Sequence, residues 1–521
     1  MAAESYLQEV RANLPRVLAL VDRDPTSESY GMGDRYHWAW GLIDFGNGTF
    51  QGMAHGLARL WRHGLWPYAT PKSRFIERID SLYQGAAKLT RADGSLEEAF
   101  PNEGSFCVTA LVAFDLLVAL DLLSEQIDQP ARERWRASIQ PMIAYLMKVE
   151  ETHAIISNHL ATAVAALVRW HRLTGDVRAE TRGREVLDRI LEHQSAEGWL
   201  REYQGADPGY QSLCTCYLAD VHRLRPDWQL LEPLRRSLRF IWHFAHPDGS
   251  FGGLYGSRCT RFYYPAGVLA LADEIPEAAA LAAFMARSIG NRRVVALSSI
   301  DEPNLIPTFN AYCWAAALAS QQVQAQSESS LPILPALLPQ SLRMHFEEAG
   351  LLVDRGEGHY SIIATGKGGV VYHFASGKPP VIDAGVVVRN AKGHLGSSQG
   401  PGQVQLQEAD GMLTIAASIV PMPKQRPGPW QFLVLRLLCV TIFYFPKLRE
   451  RVKQILVQLL ISGSAPWPLK NRRTLRLGKG LAIQDETELR PGYEIVRAVH
   501  DFVPIHMASQ GYWQLQDEDT A

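Results

Sequence analysis

Residue types that can bind a carboxylate and move protons recur at the starts of apolar helical segments. One segment begins with Ser157, Asn158 and His159 and continues as "LATAVAALVRWHRLTG", where apolar residues recur with helical spacing. A second, "DPGYQSLCTCYL", carries Tyr210 at its start and Tyr217 seven residues later on the same helical face. A third follows a loop that supplies Arg258, Arg261, Tyr263 and Tyr264. Together these groups could hold an acidic sugar and transfer its protons.

The reaction that suits this set best is removal of the proton at C5 of a uronic acid. The carboxylate beside C5 must be neutralised, because the dianion formed on proton loss is otherwise too high in energy. Amide or protonated-acid donors can supply that neutralisation. A Tyr or His then removes and delivers protons. Elimination of the 4-linked sugar would make the protein a lyase, and reprotonation from the opposite face would make it a C5-epimerase.

Each candidate also has a structural explanation that stays open. Asn158 can be a plain helix N-cap, and the tyrosines can be core aromatics, since at most one of Tyr263 and Tyr264 easily faces a cleft. Arg258 and Arg261 can be solvated loop charges. The aromatic stretch "DRYHWAWGLIDFGNGTFQG" can stack on a sugar through Trp38 or Trp40, or simply close the ring. We include Trp38, Arg201 and Glu103 with the arginines and Tyr263 and Tyr264 as candidates for substrate binding.

The elements that must position these residues form a helical repeat. Helix starts recur at Phe50, Phe106, His159, Tyr210, Tyr263 and Asn310, about 47 to 56 residues apart, as expected of helical hairpins. These helices are rich in small residues and apolar nearly all round, whereas the helices between them are charged and amphipathic. Six inner and six outer helices predict an α/α toroid over residues 1–325. An open α-solenoid is the alternative.

A closed ring would bring the candidate residues together. The inner helices of a toroid run parallel, so their N-termini converge on one rim, where helix dipoles favour anions. Polar and aromatic residues at those N-termini favour a ring with a functional mouth over an open solenoid. We therefore expect Asn158, His159, Tyr210 and the Arg258–Tyr264 segment to surround one cleft.

The pattern changes after the polar stretch "SQQVQAQSESS". Residues 326–340 are expected to be a linker, and short β-branched runs with Gly turns predict an antiparallel β-sandwich domain over residues 341–521. An apolar and basic insertion interrupts this domain at about 428–463. Its apolar run is broken by Arg436 and is too short to span a membrane. We expect a buried helix pair or a helix lying on the inner membrane face.

Composition narrows the class of protein. The chain has 52 basic and 54 acidic residues, which gives no support for nucleic-acid binding by bulk charge. Six scattered cysteines without zinc-ligand spacing indicate buried thiols in a reducing compartment. The N-terminal residues lack the basic start and apolar run of a signal peptide. We expect a cytoplasmic protein, with peripheral contact with the inner membrane through residues 429–462 as a further expectation.

A toroid followed by an antiparallel β domain, with "SNH" and "DPGYQSLCTCYL" at inner helix starts, resembles the heparinase II/III-like and alginate-lyase-like polysaccharide lyases. Dermatan-type uronyl C5-epimerases share that architecture. The resemblance implies that Asn158 and His159 neutralise the carboxylate and that Tyr210 or Tyr217 is the acid or base. It further implies that a β-domain histidine assists, for which His373 in "GGVVYHF" is the best candidate.

The sequence also departs from that family. Ser212 and Cys214 replace the Glu and Ser usual before the tyrosine, and no H-x-H-x-D stretch occurs, so neither a metal nor another cofactor is expected. The missing secretion signal favours assembly of exopolysaccharide or surface glycan over scavenging, with an acidic polysaccharide or lipid-linked glycan as partner. Two alternatives stay open. One is a glycoside hydrolase using rim carboxylates among Glu98, Glu103, Glu202 and Asp207; the other is a non-catalytic glycan-binding subunit.

Overall fold

The structure is a computed structural model. It describes residues 2–41, 43–151, 154–203, 205–321, 331–399, 405–409, 412–422, 427–457, 465–496, 501–504 and 508–513. The linker predicted at 326–340 therefore lies partly outside the described residues, and the predicted domain boundaries stay a prediction.

Twelve helices of the described residues alternate between an inner and an outer ring. The inner helices are α3 (Met53–Arg62), α5 (Phe106–Leu123), α7 (Ser157–Thr174), α9 (Pro208–Leu224), α11 (Pro265–Ala270) and α13 (Glu302–Gln321). The outer helices are α1 (Ala2–Ala19), α4 (Lys72–Leu89), α6 (Gln129–Leu146), α8 (Val177–Glu192), α10 (Leu231–Ile241) and α12 (Pro276–Gly290). A short helix, α2, covers Arg35–Trp38. Each inner helix contacts the next, and α13 packs on α3, so the ring is closed.

The seam between α3 and α13 is held by polar as well as apolar contacts. The Asn310 side chain accepts the Gly56 N–H at 3.0 Å and donates to the Gly52 carbonyl at 2.9 Å. Close approach elsewhere in the ring depends on small residues. A Cβ at Gly267 would lie 2.4 Å from the Cys216 Cα, so α11 and α9 meet backbone to backbone. The toroid predicted from the repeat is confirmed.

Apolar composition separates the two rings. Helix α5 is apolar on all sides and buried along almost its whole length. Among the described residues, one helical stretch, Phe106–Gln126, has the length and hydropathy to cross a membrane, and most of it is buried inside the ring. Outer helices such as α8 and α10 are amphipathic and bury only one face.

The strands form three antiparallel sheets in the described part of the chain. The strands are β1 (Leu342–Phe346), β2 (Leu351–Gly356), β3 (His359–Ala364), β4 (Val370–Ala375), β5 (Val381–Asp383), β6 (Val387–Asn390), β7 (Leu395–Ser397), β8 (Gln405–Ala409), β9 (Met412–Ser418), β10 (Val420–Pro421), β11 (Lys470–Arg476), β12 (Ala482–Thr487) and β13 (Tyr493–Ile495). Their orders are β1-β2-β3-β4-β5, β10-β7-β6-β13 and β12-β11-β9-β8.

The first sheet lies between the toroid and another sheet. On one face the Tyr360 hydroxyl donates to the His243 carbonyl at 2.6 Å, and Phe346 packs edge-on against Phe240. On the other face Val371 and the buried apolar side chains beside it on β2 and β3 pack against Leu413 and other residues of β9 and β11. The β-sandwich character of the C-terminal part is therefore confirmed, with the toroid as a third layer.

The insertion lies on the rim of the toroid. It consists of α14 (Pro429–Cys439) and α15 (Pro446–Val457). Asn102 donates to the Cys439 carbonyl at 2.9 Å, the Phe100 and Phe443 rings are 5.4 Å apart, and Arg449 is buried beside Gly104. Much of the apolar surface of α14 nevertheless faces outward. The expectation of a buried helix pair is therefore wrong, because only one side of the insertion contacts the ring.

Candidate active site on the toroid rim

A cavity of about 160 Å³ opens where α5 and α7 begin. The inner helices present their N-termini here, as the toroid predicts. The chemically active part of the wall consists of Glu98, Glu103, Cys107, Glu151, His159 and Tyr203, and Glu450 and Lys453 of α15 complete it. A segment more than 240 residues downstream of the other wall residues therefore forms one side of the cavity.

His159 faces this cavity as a cation. Its Nδ1 lies 2.8 Å from the Glu151 Oε1. Burial by itself lowers the pKa of His159, but the Cys107 sulfur and the Glu151 carboxylate outweigh it and raise that pKa well above its ordinary value. Burial raises the pKa of the Cys107 thiol, so near neutral pH the thiol is uncharged and Glu151 is the group that holds the proton on His159.

Two further carboxyl groups, Glu98 and Glu103, meet at the cavity mouth. Glu103 accepts the backbone N–H groups of Glu98 and Ala99 at 3.2 and 2.7 Å, and the Lys453 Nζ is 4.0 Å from its other oxygen. Glu98 as a whole is exposed, but its carboxyl turns inward and accepts the Ser105 hydroxyl at 3.2 Å. Desolvation there, and the charge of Glu103, raise the pKa of Glu98. Glu98 therefore holds its proton more firmly than an ordinary carboxyl group does.

Asn158 does not face open space. It is buried, and its Nδ2 donates to the Glu202 Oε2 at 2.7 Å while its backbone N–H donates to Oε1 at 3.0 Å. Burial raises the pKa of Glu202 to about 7. The predicted carboxylate neutraliser thus already holds a carboxyl group of the protein. This departs from the prediction for Asn158 because the sequence could not reveal a partner 44 residues away.

Arg258 stacks between two tyrosine rings behind the cavity wall. Its guanidinium carbon lies 4.1 Å from the Tyr210 ring centroid and 5.0 Å from that of Tyr203. The side chain is buried, and its Nε and Nη1 have no hydrogen-bond partner among the described residues. Glu202 is 3.9 Å from Nη1. Asp207 fixes the backbone by capping α9 at Tyr210 and accepting the Arg258 N–H at 2.9 Å.

Tyr203 was not among the predicted site residues. It lines the cavity and has a left-handed backbone conformation, with φ of 61°, which is costly for a residue with a side chain. Its N–H donates to the Ile155 carbonyl at 3.1 Å, and the neighbouring Glu202 bridges to Ile156, so the α7 start holds the loop. The available signal was the aromatic residue in the loop "GWLREYQGADPGY" ahead of an inner helix.

Of the four predicted tyrosines, one lies at the rim and three are buried away from the cavity. Tyr210 lies at the rim, but under Arg258, and burial raises its pKa to about 12. Tyr217 is two turns deeper in the ring, edge-on to Phe114. Tyr263 donates its hydroxyl to the Met285 carbonyl at 2.8 Å, and Tyr264 is buried beside Phe262. Tyr217, Tyr263 and Tyr264 are therefore packing residues, because Tyr217 lies on a buried turn of α9 and the other two are buried just before α11.

The structure also places His373 away from the rim. His373 bonds to the Ser361 hydroxyl at 2.8 Å and stacks on His359, on the sheet face that turns away from the toroid. Its neighbour Tyr372 faces the toroid instead and accepts the Leu254 N–H at 3.1 Å. Because side chains alternate between the two faces of a strand, Tyr372 faces the toroid and His373, the residue expected to do so, faces away from it.

The remaining predicted residues also lie outside the cavity. Arg261 pairs with Asp501, and the Trp38 indole donates to the Leu20 carbonyl at 2.8 Å. The Arg201 side chain is exposed, while its carbonyl accepts from Ser157. Of the predicted set, His159 and Glu103 line the cavity, and Asn158, Tyr210 and Arg258 lie directly behind it. Within the described ranges, no group of three or more His, Cys, Asp or Glu side chains is arranged to hold a metal ion.

Comparison with known proteins identifies one family model. Residues 67–267, which include the rim residues from Glu98 to Tyr264, match the ulvan lyase N-terminal domain. No curated protein sequence matches the chain. The family name predicted from the sequence, heparinase II/III-like, therefore stays a prediction, whereas the resemblance to polysaccharide lyases is confirmed.

Solved structures with a similar course of the chain include two lyases and an epimerase. A Streptomyces coelicolor A3 chondroitin AC lyase is 10% identical with a TM-score of 0.47, covering 81% of this chain and 66% of its own. A Paenibacillus xanthan lyase is 12% identical with a TM-score of 0.46, covering 81% and 46%. Cellobiose 2-epimerase from Bacillus thermoamylovorans B4167 is 11% identical with a TM-score of 0.44, covering 61% and 100%. By its closed toroid, its following antiparallel sheets and the match over residues 67–267, the chain resembles the polysaccharide lyases, and within them the ulvan lyase N-terminal domain.

Proposed function

We propose that the protein is a polysaccharide-active enzyme that removes the C5 proton of a uronic acid residue at the cavity lined by His159. The observation that carries the proposal is the His159 imidazole, paired with the Glu151 carboxylate at 2.8 Å in a rim cavity shared with the Tyr203 side chain. Except for Glu450 and Lys453, the residues that line this cavity lie within the segment that matches the ulvan lyase N-terminal domain. That match favours elimination over epimerisation.

The carboxylate of the sugar would meet two proton-bearing groups. The His159 imidazolium supplies a positive charge, and the raised pKa of Glu98 favours the protonated carboxyl that can donate to the sugar carboxylate. Both stabilise the negative charge that spreads onto the carboxylate when C5 loses its proton. In this respect His159 keeps the role predicted from the sequence, and Glu98 takes the role predicted for Asn158.

Tyr203 is the best candidate for the proton-transfer group. It faces the cavity, whereas Tyr210 is covered by Arg258 and burial raises its pKa to about 12. In the elimination, the base takes the C5 proton, the C5–H electron pair forms the C4–C5 double bond, and the C4–O bond breaks. The departing oxygen then receives a proton. Return of a proton to the other face of C5 would instead give the epimer.

A glycoside hydrolase is the second candidate, and the Glu98 and Glu103 pair favours it. Hydrolysis by inversion needs one carboxyl that keeps its proton and one carboxylate that activates water. The raised pKa of Glu98 suits the acid of such a pair, and Glu103, 4.0 Å from the Lys453 Nζ, is the second carboxyl group. Replacement by an amide separates the two reactions, because an amide still donates a hydrogen bond but cannot transfer a proton.

The deciding experiment incubates the full chain and its variants with a panel of uronate polymers in heavy water. Ultraviolet absorbance of an unsaturated product indicates a lyase, deuterium at C5 without cleavage indicates an epimerase, and new reducing ends without unsaturation indicate a hydrolase. Under our proposal Tyr203→Phe and His159→Gln lose activity by about a hundredfold or more. Glu98→Gln keeps most activity as a lyase but loses it as a hydrolase. Tyr36→Phe, His394→Gln and Glu28→Gln, all at exposed positions, are the matched controls.

We also propose that the substrate is a lipid-linked or nascent surface glycan and that α14 rests on an anionic lipid surface. Trp430, Phe432 and Tyr444 are 77%, 55% and 62% exposed. The basic side chains of Lys447 and Arg451 are exposed beside them, as in interfacial helices that bind acidic headgroups. Lys453 of the same insertion lines the cavity, so the anchor and the candidate site are adjacent.

Flotation with phosphatidylglycerol-containing vesicles tests the membrane proposal. The full chain should float with these vesicles, and the Trp430→Ser/Phe432→Ser variant should not. Ile333→Ser/Leu337→Ser removes comparably exposed apolar side chains elsewhere and is the control. Equal flotation of all three proteins, or none by the unaltered chain, would exclude lipid as the partner of α14.

A further inference from the structure

A second and larger cavity lies at the opposite end of the toroid. Its volume is about 740 Å³, within the range of small-molecule sites. The C-terminal ends of five inner helices line it, those of α3, α5, α7, α9 and α13. It is therefore separate from the rim cavity, which lies where the inner helices begin.

Positive charge dominates the wall of this second cavity. Five arginines, Arg59, Arg62, Arg169, Arg172 and Arg223, face two carboxylates, Asp121 and Asp220. Both carboxylates are committed to Arg169: Asp220 accepts from its Nη2 at 2.6 Å, and Asp121 lies 3.4 Å from its Nη1. Among the described residues, the other four guanidinium groups have no carboxylate within 4.0 Å. The wall thus carries a surplus of three positive charges.

Arg59 is the deepest of these groups. Its side chain is only 8% exposed, and its guanidinium lies over the Trp314 ring at 5.0 Å. Its Nε donates to the His55 Nε2 at 3.1 Å, a neutral acceptor that in turn bonds Asp115 at 2.8 Å. Burial and the nearby Arg169 lower the pKa of Arg59 to about 9. A cation in this position is stabilised by an anion that enters the cavity.

Capping of the helix ends does not account for the arginines. Cations near helix C-termini gain about 0.3–1 kcal/mol from the helix dipoles, which explains why they are tolerated there. Yet no hydrogen bond joins Arg62, Arg172 or Arg223 to a carbonyl of the described residues. All three residues are exposed, so their N–H donors meet water, which a ligand that enters the cavity would replace.

We propose that this cavity binds a small, multiply charged anion that carries phosphate or sulfate groups. The guanidinium fork matches two oxygens of such a group, and several forks around one cavity select a ligand with more than one charge. Phosphate and sulfate share this chemistry, so the test uses one probe of each kind. The proposal is independent of the reaction at the rim.

Titration calorimetry on the full chain tests the proposal with inorganic tripolyphosphate, sucrose octasulfate and trigalacturonate as probes. We expect tripolyphosphate or sucrose octasulfate to bind, and affinity to fall with added salt. Arg172 and Arg223 are exposed, so replacing either should leave folding intact. Arg172→Gln and Arg223→Gln should each weaken binding by about tenfold or more. Arg136→Gln, an exposed arginine on α6, should leave it unchanged.

Three results would overturn the proposal. The first is that neither the phosphate nor the sulfate probe binds. The second is that binding is equal in the Arg172→Gln, Arg223→Gln and Arg136→Gln variants. The third is that trigalacturonate alone binds, because the cavity would then recognise a carboxylate sugar.

Discussion

The Asn158 side-chain amide donates to the Glu202 carboxyl at 2.7 Å, deep in the rim of the toroid. The backbone N–H of Asn158 donates to the other Glu202 oxygen at 3.0 Å. These two bonds tie the start of α7 to the loop that carries Tyr203. Asn158, which was expected to contact substrate, therefore positions Tyr203 in the cavity wall.

Stability should depend on pH through Glu202. Burial raises its pKa to about 7 in the folded chain, so the folded chain binds its proton more tightly than the unfolded one. The resulting stabilisation is complete below the unfolded pKa and is lost as pH rises through about 7. Between about pH 4.5 and 7.5, the unaltered chain should lose about 3 kcal/mol relative to Glu202→Gln, measured by urea unfolding. Parallel curves for the two proteins, with Glu28→Gln as control, would contradict the assignment.

Activity should depend on pH through the pair of His159 and Glu151. Because Glu151 raises the pKa of His159, a reaction that needs the imidazolium persists at neutral pH and falls as pH rises through the raised pKa. Glu151→Gln removes that charge and should move the alkaline limb of kcat/KM to lower pH. Glu185→Gln is the matched control, because Glu185 is exposed, pairs with Arg182 and lies outside the cavity. An unchanged limb in Glu151→Gln would exclude His159 as the titrating group.

The buried ion pair of Arg169 and Asp220 should be costly to break. The side chains of Arg169 and Asp220 are both nearly inaccessible to solvent. The guanidinium donates from Nη2 and Nε to the two carboxylate oxygens at 2.6 and 2.7 Å. Asp220→Asn leaves a buried guanidinium with only the more distant Asp121, at an expected cost of about 3–5 kcal/mol in chemical unfolding. Asp227→Asn breaks an exposed pair with Arg225 and should cost far less. Equal effects would mean that water reaches Arg169 freely.

Packing between α9 and α11 should not tolerate a methyl group at Gly267. Its Cβ would lie 2.4 and 2.5 Å from backbone atoms of Cys216, so one helix must move. We expect Gly267→Ala to lower the free energy of unfolding by about 1–3 kcal/mol or more. Gly480→Ala, at a position with open space, should change it little. Similar unfolding curves for both variants would show that the ring is looser than described.

The arrangement of the helices could be predicted because each ring has its own composition. A helix such as α5 is apolar on all sides and can exist only inside, whereas α10 carries charge on one face. The convergence of inner N-termini then follows from the geometry of a closed ring. For this reason the rim position of His159 was predicted correctly.

Other features of the site depend on contacts that a single sequence does not encode locally. Both faces of strand β4 are buried, one on the toroid and one on a sheet, so its apolar pattern could not choose between Tyr372 and His373. The left-handed turn at Tyr203 arises from pairing with the start of α7. The insertion has the composition of a buried helix pair, and its outward face became evident only from its position on the rim.

The contact of α3 with α13 has a consequence for synthesis of the chain. The acceptor of the Gly56 N–H is the Asn310 side chain, which the ribosome adds 254 residues later. Until then the nascent toroid presents an open apolar edge, and such long-range closure is slow compared with local pairing of hairpins. A chain whose translation stops before residue 321 therefore has an incomplete ring with exposed apolar surface. Chaperones and proteases should bind it more readily than the finished chain.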